Sequence, residues 1–398
     1  MKNNIPQGYK ATSLGIIPQD WEVKRLEDIA QCFSGGTPKA GNNEYYGGNI
    51  PFIRSGEIHQ KYTALFLSEL GLTESSAKMV QKGDLLMALY GANSGDSAVS
   101  QINGAINQAI LCIRPHNVLV SFLCSFLELN KDLYIAKYLQ GGQGNLSGEI
   151  VLNYKILVPP LAEQQKIAEV LGTWDKAIEM QTQLIKKLEL RKKGLMQHLL
   201  TGKKRLPGFS GEWRKVKLGK LFIERNEINK AHLPLLSITA DRGVIFQSES
   251  DKRDISNDDK SKYKHICPND IGYNTMRMWQ GRCALSSLEG IVSPAYTIIT
   301  PNKDINPYFM EMLFKQPFTI YCFWTHSQGL VNDTLNCKFP DFSQIKVTIP
   351  NFEEQNAISQ FFKGINHEIE LCTQKLNSLL QQKKGLMQVL LTGKKRVI

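Results

Sequence analysis

The sequence predicts an α+β chain built twice over. Two mixed heads of strands and helices are each followed by one long α-helix, and the helices pair antiparallel as a coiled coil about a pseudo-twofold axis. Three observations carry this expectation: a C-terminal segment that recurs at a fixed offset, a helical apolar stripe along that segment, and strand-like runs between polar loops in what precedes each copy. A length of 398 residues suits two or three domains at roughly 150 residues each.

The repeat is the strongest signal. KKGLMQHLLTGKKR at Lys192–Arg205 returns as KKGLMQVLLTGKKR at Lys383–Arg396, an offset of 191 residues that also aligns Pro159 with Pro350 and Glu163-Gln164 with Glu354-Gln355. Between 156–206 and 347–397, 22 of 51 positions are identical without any insertion, which chance does not produce. Trp21 and Leu26 face Trp213 and Leu218 at an offset of 192, so each half also opens on a similar entry segment. The predicted organisation is a head at 1–158, a helical spacer at 159–206, a second head at 207–349 and a second spacer at 350–398.

Each spacer reads as one helix. In the first, Ile167, Trp174, Gln181, Leu188 and Leu195 fall seven apart, with Val170, Ala177 and Leu184 beside them; the second repeats the stripe as Ile358, Ile365, Cys372, Leu379 and Leu386. Pro159-Pro160 suits a helix start, and Gly202 or Gly393 beside Lys-Lys-Arg suits a left-handed stop with cations at the negative end of the helix dipole. About 40 residues at 1.5 Å each give a rod of about 60 Å. The stripe can be buried by the other helix or by the helix's own head. A rod longer than a domain of about 150 residues favours the other helix, which puts the heads at opposite ends.

The heads carry short apolar runs, such as Asp84–Tyr90, Ala109–Ile113, Leu235–Ile238 and Ser293–Ile299, with helical patterns late in each at Val120–Leu139 and Pro307–Trp324. Their polar loops stand in corresponding places. Tyr90–Asp96 corresponds to Asn274–Arg282, and Gly141–Ser147 to Ser327–Asn332. Asn and Gln offer the paired donor and acceptor that adenine presents, and Arg matches guanine. Any one such loop is also an ordinary turn. The set gains weight from an excess of 11 positive charges, with 48 Lys plus Arg against 37 Asp plus Glu. Candidate base contacts are Asn93, Ser94, Gln143 and Asn145 in the first head and Asn274, Arg277, Gln280, Arg282, Gln328 and Asn332 in the second. Tyr90 and Trp279 are candidates for stacking or for the core. Arg54 is a candidate phosphate clamp, with Lys39, Lys61, Lys78 and Lys82 in the first head and Arg242, Lys252, Arg253, Lys260, Lys262 and Lys264 in the second. The Lys203–Arg205 and Lys394–Arg396 runs are read as helix-end caps.

Other classes lack their signatures. There is no phosphate-binding glycine loop, Asn306-Pro-Tyr-Phe309 misses the second proline of the amino-methyltransferase pattern, and no His or Cys spacing marks a metal site, His265-Ile-Cys267 standing alone. The eight cysteines form no CxxC pair and are expected reduced. No apolar run approaches the roughly 18 residues of a membrane span, and Met1–Lys10 lacks a signal-peptide core, so the expected location is the cytoplasm. The rival reading is a protein-binding scaffold that does not need DNA.

The combination of Pro159–Ala168, Gly194–Gln197 and Leu199–Gly202, their second copies from Pro350 and Gly385, and the head motif Ser34–Pro38, Ile50–Ile53 and Ser55–Glu57 resembles the specificity subunit of type I restriction-modification enzymes over essentially the whole chain. The resemblance implies that each head is a target recognition domain for one half of a split, asymmetric site in double-stranded DNA. It further implies that the helices set the spacing and dock two methylation subunits, and through them the restriction subunits. This chain would be non-catalytic, binding no cofactor itself, with S-adenosylmethionine, ATP and Mg on the partners, whose complex methylates adenine at N6 and cleaves DNA with ATP. The second copy departs at Asn351-Phe-Glu353, where Pro160-Leu-Ala162 stands in the first.

Overall fold

Five consecutive apolar residues, Leu85-Leu-Met-Ala-Leu89, set the layering of the first head. In a strand successive side chains point to opposite faces, so such a run suits a strand buried on both. The computed structural model, which describes residues 5–138, 145–239, 242–250, 254, 256, 258–331 and 334–397, shows this division. Leu85, Met87 and Leu89 enter one core with Leu111, Ile113 and helix residues Phe122 and Phe126, while Leu86 and Ala88 enter a second with Ile53, Val80, Ile106 and Cys112.

The chain divides into two compact units, residues 1–182 with 374–398, and 183–373, so each long helix belongs partly to both. This division cuts across the head-and-spacer boundaries read from the sequence. In the first unit an antiparallel sheet runs in the order Ala30–Ser34, Ile110–Pro115, Leu85–Ala88, Ser97–Val99. A mixed sheet runs Leu65–Leu67, Tyr46–Ile53, Gly104–Ile106, Lys78–Val80, with Ala105 parallel to Phe52. In the second unit Phe222–Glu224, Tyr296–Pro301, Ile271–Asn274 and Cys283–Leu285 repeat the first of these orders. The ribbon of Glu22–Arg25 with Lys155–Val158 likewise recurs as Arg214–Lys217 with Lys346–Ile349. Within the expected helix at Pro307–Trp324 the chain forms two, Pro307–Phe314 and Pro317–His326, because the residue before a proline is pushed out of the helical region: Gln316 lies at φ −80°, ψ 143°.

The two predicted spacer helices are present as Leu161–Leu199 and Phe352–Leu390, 39 residues each. Both end at the expected glycine, Gly202 at φ 70° and Gly393 at φ 71°. Inside the first unit, Lys383 pairs with Asp175 at 2.8 Å and Arg396 with Glu163 at 2.8 Å, so there the two helices run in opposite directions. The stripe is not reserved for the other helix. Ile167 and Leu171 are buried in the first head's core, which Met387, Leu390 and Leu391 complete, with Leu386 partly buried against it. In the second unit Ile358 and Phe362 share a core with Leu199 and Leu200, flanked by Leu195 and Ile365. Of the remaining stripe positions Leu188 is buried, and Trp174 and Leu379 are half-buried. The heads therefore absorb the ends of both stripes, a mixture of the two burial schemes the sequence allows.

Candidate nucleic-acid interface

The repeated Glu-Gln pair fixes each head on the helices. Gln164 donates its amide to the Pro159 carbonyl (2.8 Å) and accepts from the Leu119 N–H (2.9 Å); Gln355 does the same with Pro350 (3.0 Å) and Asn306 (3.0 Å). Glu163, only 4% exposed, accepts from the Trp21 indole (2.9 Å) and from Arg396, which reaches Asp20 as well (2.8 Å). Glu354 accepts likewise from Trp213 (3.3 Å) and Arg205. Buried carboxylates need such paired, charge-assisted donors. The Lys203–Arg205 and Lys394–Arg396 runs do cap their helices, the Lys204 and Lys395 N–H groups donating to the His198 and Val389 carbonyls (3.2 and 3.0 Å), and each arginine in addition crosses to the start of the other long helix. Arg396 in turn holds the Asp20 carboxyl below its usual range.

On this base each head presents polar loops at one end of a central hairpin. In the first head the loop after Leu85–Ala88 carries Tyr90 and Asn93, both exposed. The Leu146 N–H donates to the Leu89 carbonyl (2.8 Å), which brings exposed Asn145 beside that loop. A methyl group placed on Gly56 would lie 3.7 Å from the Asn93 amide, so the Arg54–Glu57 turn flanks the same loop. Asp96 closes it through His59 (3.0 Å) and Lys131 (3.3 Å). Arg54 remains exposed but grips Glu57 with two nitrogens (3.1 and 2.9 Å), holding that carboxyl below its ordinary range. Ser94 is placed differently from the expectation: it is 5% exposed, and its hydroxyl donates to the Leu89 and Gly91 carbonyls (3.1 and 2.8 Å), stabilising the turn and not facing outward. Gln143 lies outside the described residues.

The second head repeats the arrangement with other side chains. The Cys337 N–H donates to the Thr275 carbonyl (2.9 Å), and Gln328 pairs with Asn336 through the backbone (2.9 and 2.8 Å), so Cys337 comes to the Asn274–Arg282 loop as Leu146 comes to Leu89, with Gln328 and Asn336 paired next to it. Gln280, Arg282 and Gln328 are exposed, and Asn274, Arg277 and Trp279 are half-buried. The Trp279 indole donates to the Met276 carbonyl (3.0 Å) and Asn274 accepts from the Met276 N–H (3.0 Å), so both spend polar capacity on the loop itself. The Gln328 amide nitrogen reaches Asp341 at 3.3 Å. A cleft of about 590 Å³, lined by Leu235, Ser237, Lys262, Tyr263, Asn274 and Tyr296, opens beside Asn274. Asn332, Lys252 and Arg253 lie outside the described residues.

One feature of this loop region escapes sequence reasoning. Helix Pro317–His326 abuts the Met278–Gly281 turn, since a methyl group on Gly281 would meet the Ile320 side chain at 3.0 Å. That helix exposes Phe318, Tyr321 and Trp324, the last two with ring centroids 5.9 Å apart. Helical spacing puts these three rings on one face and Phe323 on the other, but in the all-round apolar run Pro-Phe-Thr-Ile-Tyr-Cys-Phe-Trp it does not say which face is buried; in the fold it is that of Phe323.

Comparison with known proteins places this architecture. Residues 18–190 match the family described as type I restriction modification DNA specificity domain. Over 96% of its length the chain is 26% identical to the MjaVIII type I restriction enzyme specificity subunit of Methanocaldococcus jannaschii, of which it covers 94%. Residues 18–190 thus carry a type I restriction modification DNA specificity domain, and the chain as a whole is similar to type I restriction enzyme specificity subunits. Its fold is shared with the S subunit of a type I system from M. genitalium (TM-score 0.56, 14% identity, 98% of this chain and 97% of that one). It is also shared with a chain from a solved type I system described in terms of complex assembly and conformational transition (TM-score 0.59, 16% identity, 95% and 99%).

Proposed function

We propose that this chain is the non-catalytic reader of a type I restriction-modification complex, each head contacting one half of a bipartite, asymmetric site in duplex DNA. The observation that carries the reading is the convergence, in each head, of two polar loops at the same end of the same hairpin, with different side chains in the two heads. A shared frame with unlike loops suits two unlike half-sites. Asn93 and Asn145 in one head and Gln280, Arg282 and Gln328 in the other are the exposed groups best suited to base edges, with Tyr90 and the Phe318–Trp324 face available for stacking.

The long helices serve as spacer and docking surface in this reading. The offset of 191 residues maps the Arg205–Glu354 pair onto the Arg396–Glu163 pair with the partners exchanged, as a pseudo-twofold, antiparallel coiled coil requires. Met180, Leu184 and Leu190 on the first helix and Leu371 and Leu380 on the second are exposed apolar residues suited to two methylation subunits, which would connect the restriction subunits. S-adenosylmethionine, ATP and Mg would be bound by those partners, where adenine methylation and cleavage take place, in the cytoplasm. No helix among the described residues is long and apolar enough to cross a membrane.

Binding of the purified chain to a random-sequence duplex, measured against salt concentration, tests the reading. The expected result is a linear fall of log affinity with log salt, reaching roughly 10³-fold between 50 and 200 mM for about six phosphate contacts. A scaffold for acidic proteins predicts no saturable duplex binding at low salt, and that result would refute the reader.

A further inference from the structure

We propose that His265, Cys267 and Glu289 of the second head form a binding site for a borderline-soft divalent cation, zinc by preference. Their ligand atoms all lie within 4.8 Å of one another. The His265 Nε2 atom is 3.5 Å from the Cys267 sulfur and 3.0 Å from a Glu289 carboxylate oxygen. Tetrahedral zinc bonds of about 2.0–2.1 Å to nitrogen and about 2.3 Å to sulfur leave two such ligands about 3.5 Å apart, so the side chains already stand near ligand–ligand spacing.

The outer contacts agree. A ligating imidazole almost always donates its second N–H to a carboxylate or carbonyl, which fixes the ring and raises the basicity of the metal-facing nitrogen. Here Nδ1 is 2.8 Å from Glu227, whose backbone carbonyl also accepts from the His265 N–H (2.9 Å). His265 is 6% exposed, and Cys267 is held by its N–H donating to Asp270 (2.8 Å). On the outer side Glu289 is exposed, leaving room for water as a fourth ligand. With the imidazole proton on Nδ1 toward Glu227, Nε2 offers its lone pair to the ion, binding displaces the Cys267 thiol proton to solvent, and thiolate and carboxylate together balance the two positive charges of the ion.

The scaffold does not require this trio. Strand Lys264–Ile266 pairs with Gly290–Val292 in the register by which Lys78–Val80 pairs with Gly104–Ile106, Ile266 facing Gly290 as Val80 faces Gly104. The corresponding positions in the first head are Met79, Gln81 and Asn103, none a strong ligand for such an ion. Sequence spacing could not expose the site, because the carboxylate comes from the neighbouring strand's approach and not from the His-Ile-Cys run. Tyr263, two residues before His265, lines the cleft at Asn274, so a bound ion would stiffen a wall of that cleft.

Absorption titration of the full chain, freed of metal by chelator, with cobalt(II) in the presence of millimolar Mg²⁺ tests this. The expected result is one equivalent bound, with visible bands of a four-coordinate site and a near-ultraviolet thiolate-to-cobalt band, both abolished by Zn²⁺ and unaffected by the oxygen-seeking Mg²⁺. Cys267→Ser should remove the near-ultraviolet band. Glu289→Gln, at an exposed position where folding is not at stake, should weaken cobalt binding at least tenfold. Absence of saturable binding, a thiolate band that survives in Cys267→Ser, or unchanged affinity in Glu289→Gln would each overturn the proposal.

Discussion

Replacing Arg396 with alanine is expected to destabilise the unit formed by residues 1–182 and 374–398 by about 2 to 3 kcal/mol. The arginine supplies two hydrogen bonds of 2.8 Å to Glu163, which is 4% exposed, and without it that carboxylate keeps, among the described residues, the Trp21 indole donor alone. Breaking a buried pair from one side typically costs ~3 to 5 kcal/mol because the remaining charge stays desolvated; the lower figure here reflects a guanidinium that is about a quarter exposed. Two further variants separate this cause from a general packing defect. Adding Glu163→Gln to Arg396→Ala should restore part of the loss, since an amide carries no charge to strand. Arg205→Ala should cost a similar amount in the other unit, where Glu354 is 1% exposed. Urea unfolding monitored by tryptophan fluorescence reads all three, because Trp21 and Trp213 stand beside the two carboxylates. A loss under 0.5 kcal/mol for Arg396→Ala would show that the pair does not hold the C-terminal segment.

Arg282→Ala is expected to relax the choice of base at one position of one half-site by about 1 to 3 kcal/mol, leaving the other half-site unchanged. The side chain is exposed at the end of the Asn274–Arg282 loop, next to the strand at Cys283, on a backbone closed by Gly281 at φ 71°. A guanidinium so placed can offer the two-pronged donor that guanine O6 and N7 accept. Competition among duplexes that differ at single positions gives the answer. Uniform weakening on every sequence would instead make Arg282 a phosphate contact. Ser94→Ala, by contrast, should leave base choice unaltered, because that hydroxyl is spent on the Leu89 and Gly91 carbonyls.

Local periodicity made much of the frame legible. The Leu85–Leu89 run, the helix at Val120–Tyr138 and the two 39-residue helices with their glycine stops all follow from spacing within one segment. What spacing does not carry is the identity of a distant partner. Leu171 and Leu199 are apolar at helical intervals, but only the fold shows that they complete head cores. Glu163-Gln164 stands out in the sequence as a repeated dipeptide. Its work, one residue locking an arginine 233 positions away and the other holding the head, depends on a contact that no local pattern encodes. The candidate interface divides the same way. Loop positions were readable from polar composition, whereas the burial of Ser94, the engagement of Arg54 by Glu57 and the exposure of Phe318, Tyr321 and Trp324 are settled by tertiary neighbours.

Selection from a pool of randomised duplexes by the full chain tests most directly the claim that two unlike readers sit on one spacer. The account predicts that the retained sequences share two short blocks, different from each other and separated by a stretch of unconstrained bases of constant length. A single contiguous block, two identical blocks, or blocks whose separation varies from one retained sequence to the next would contradict it.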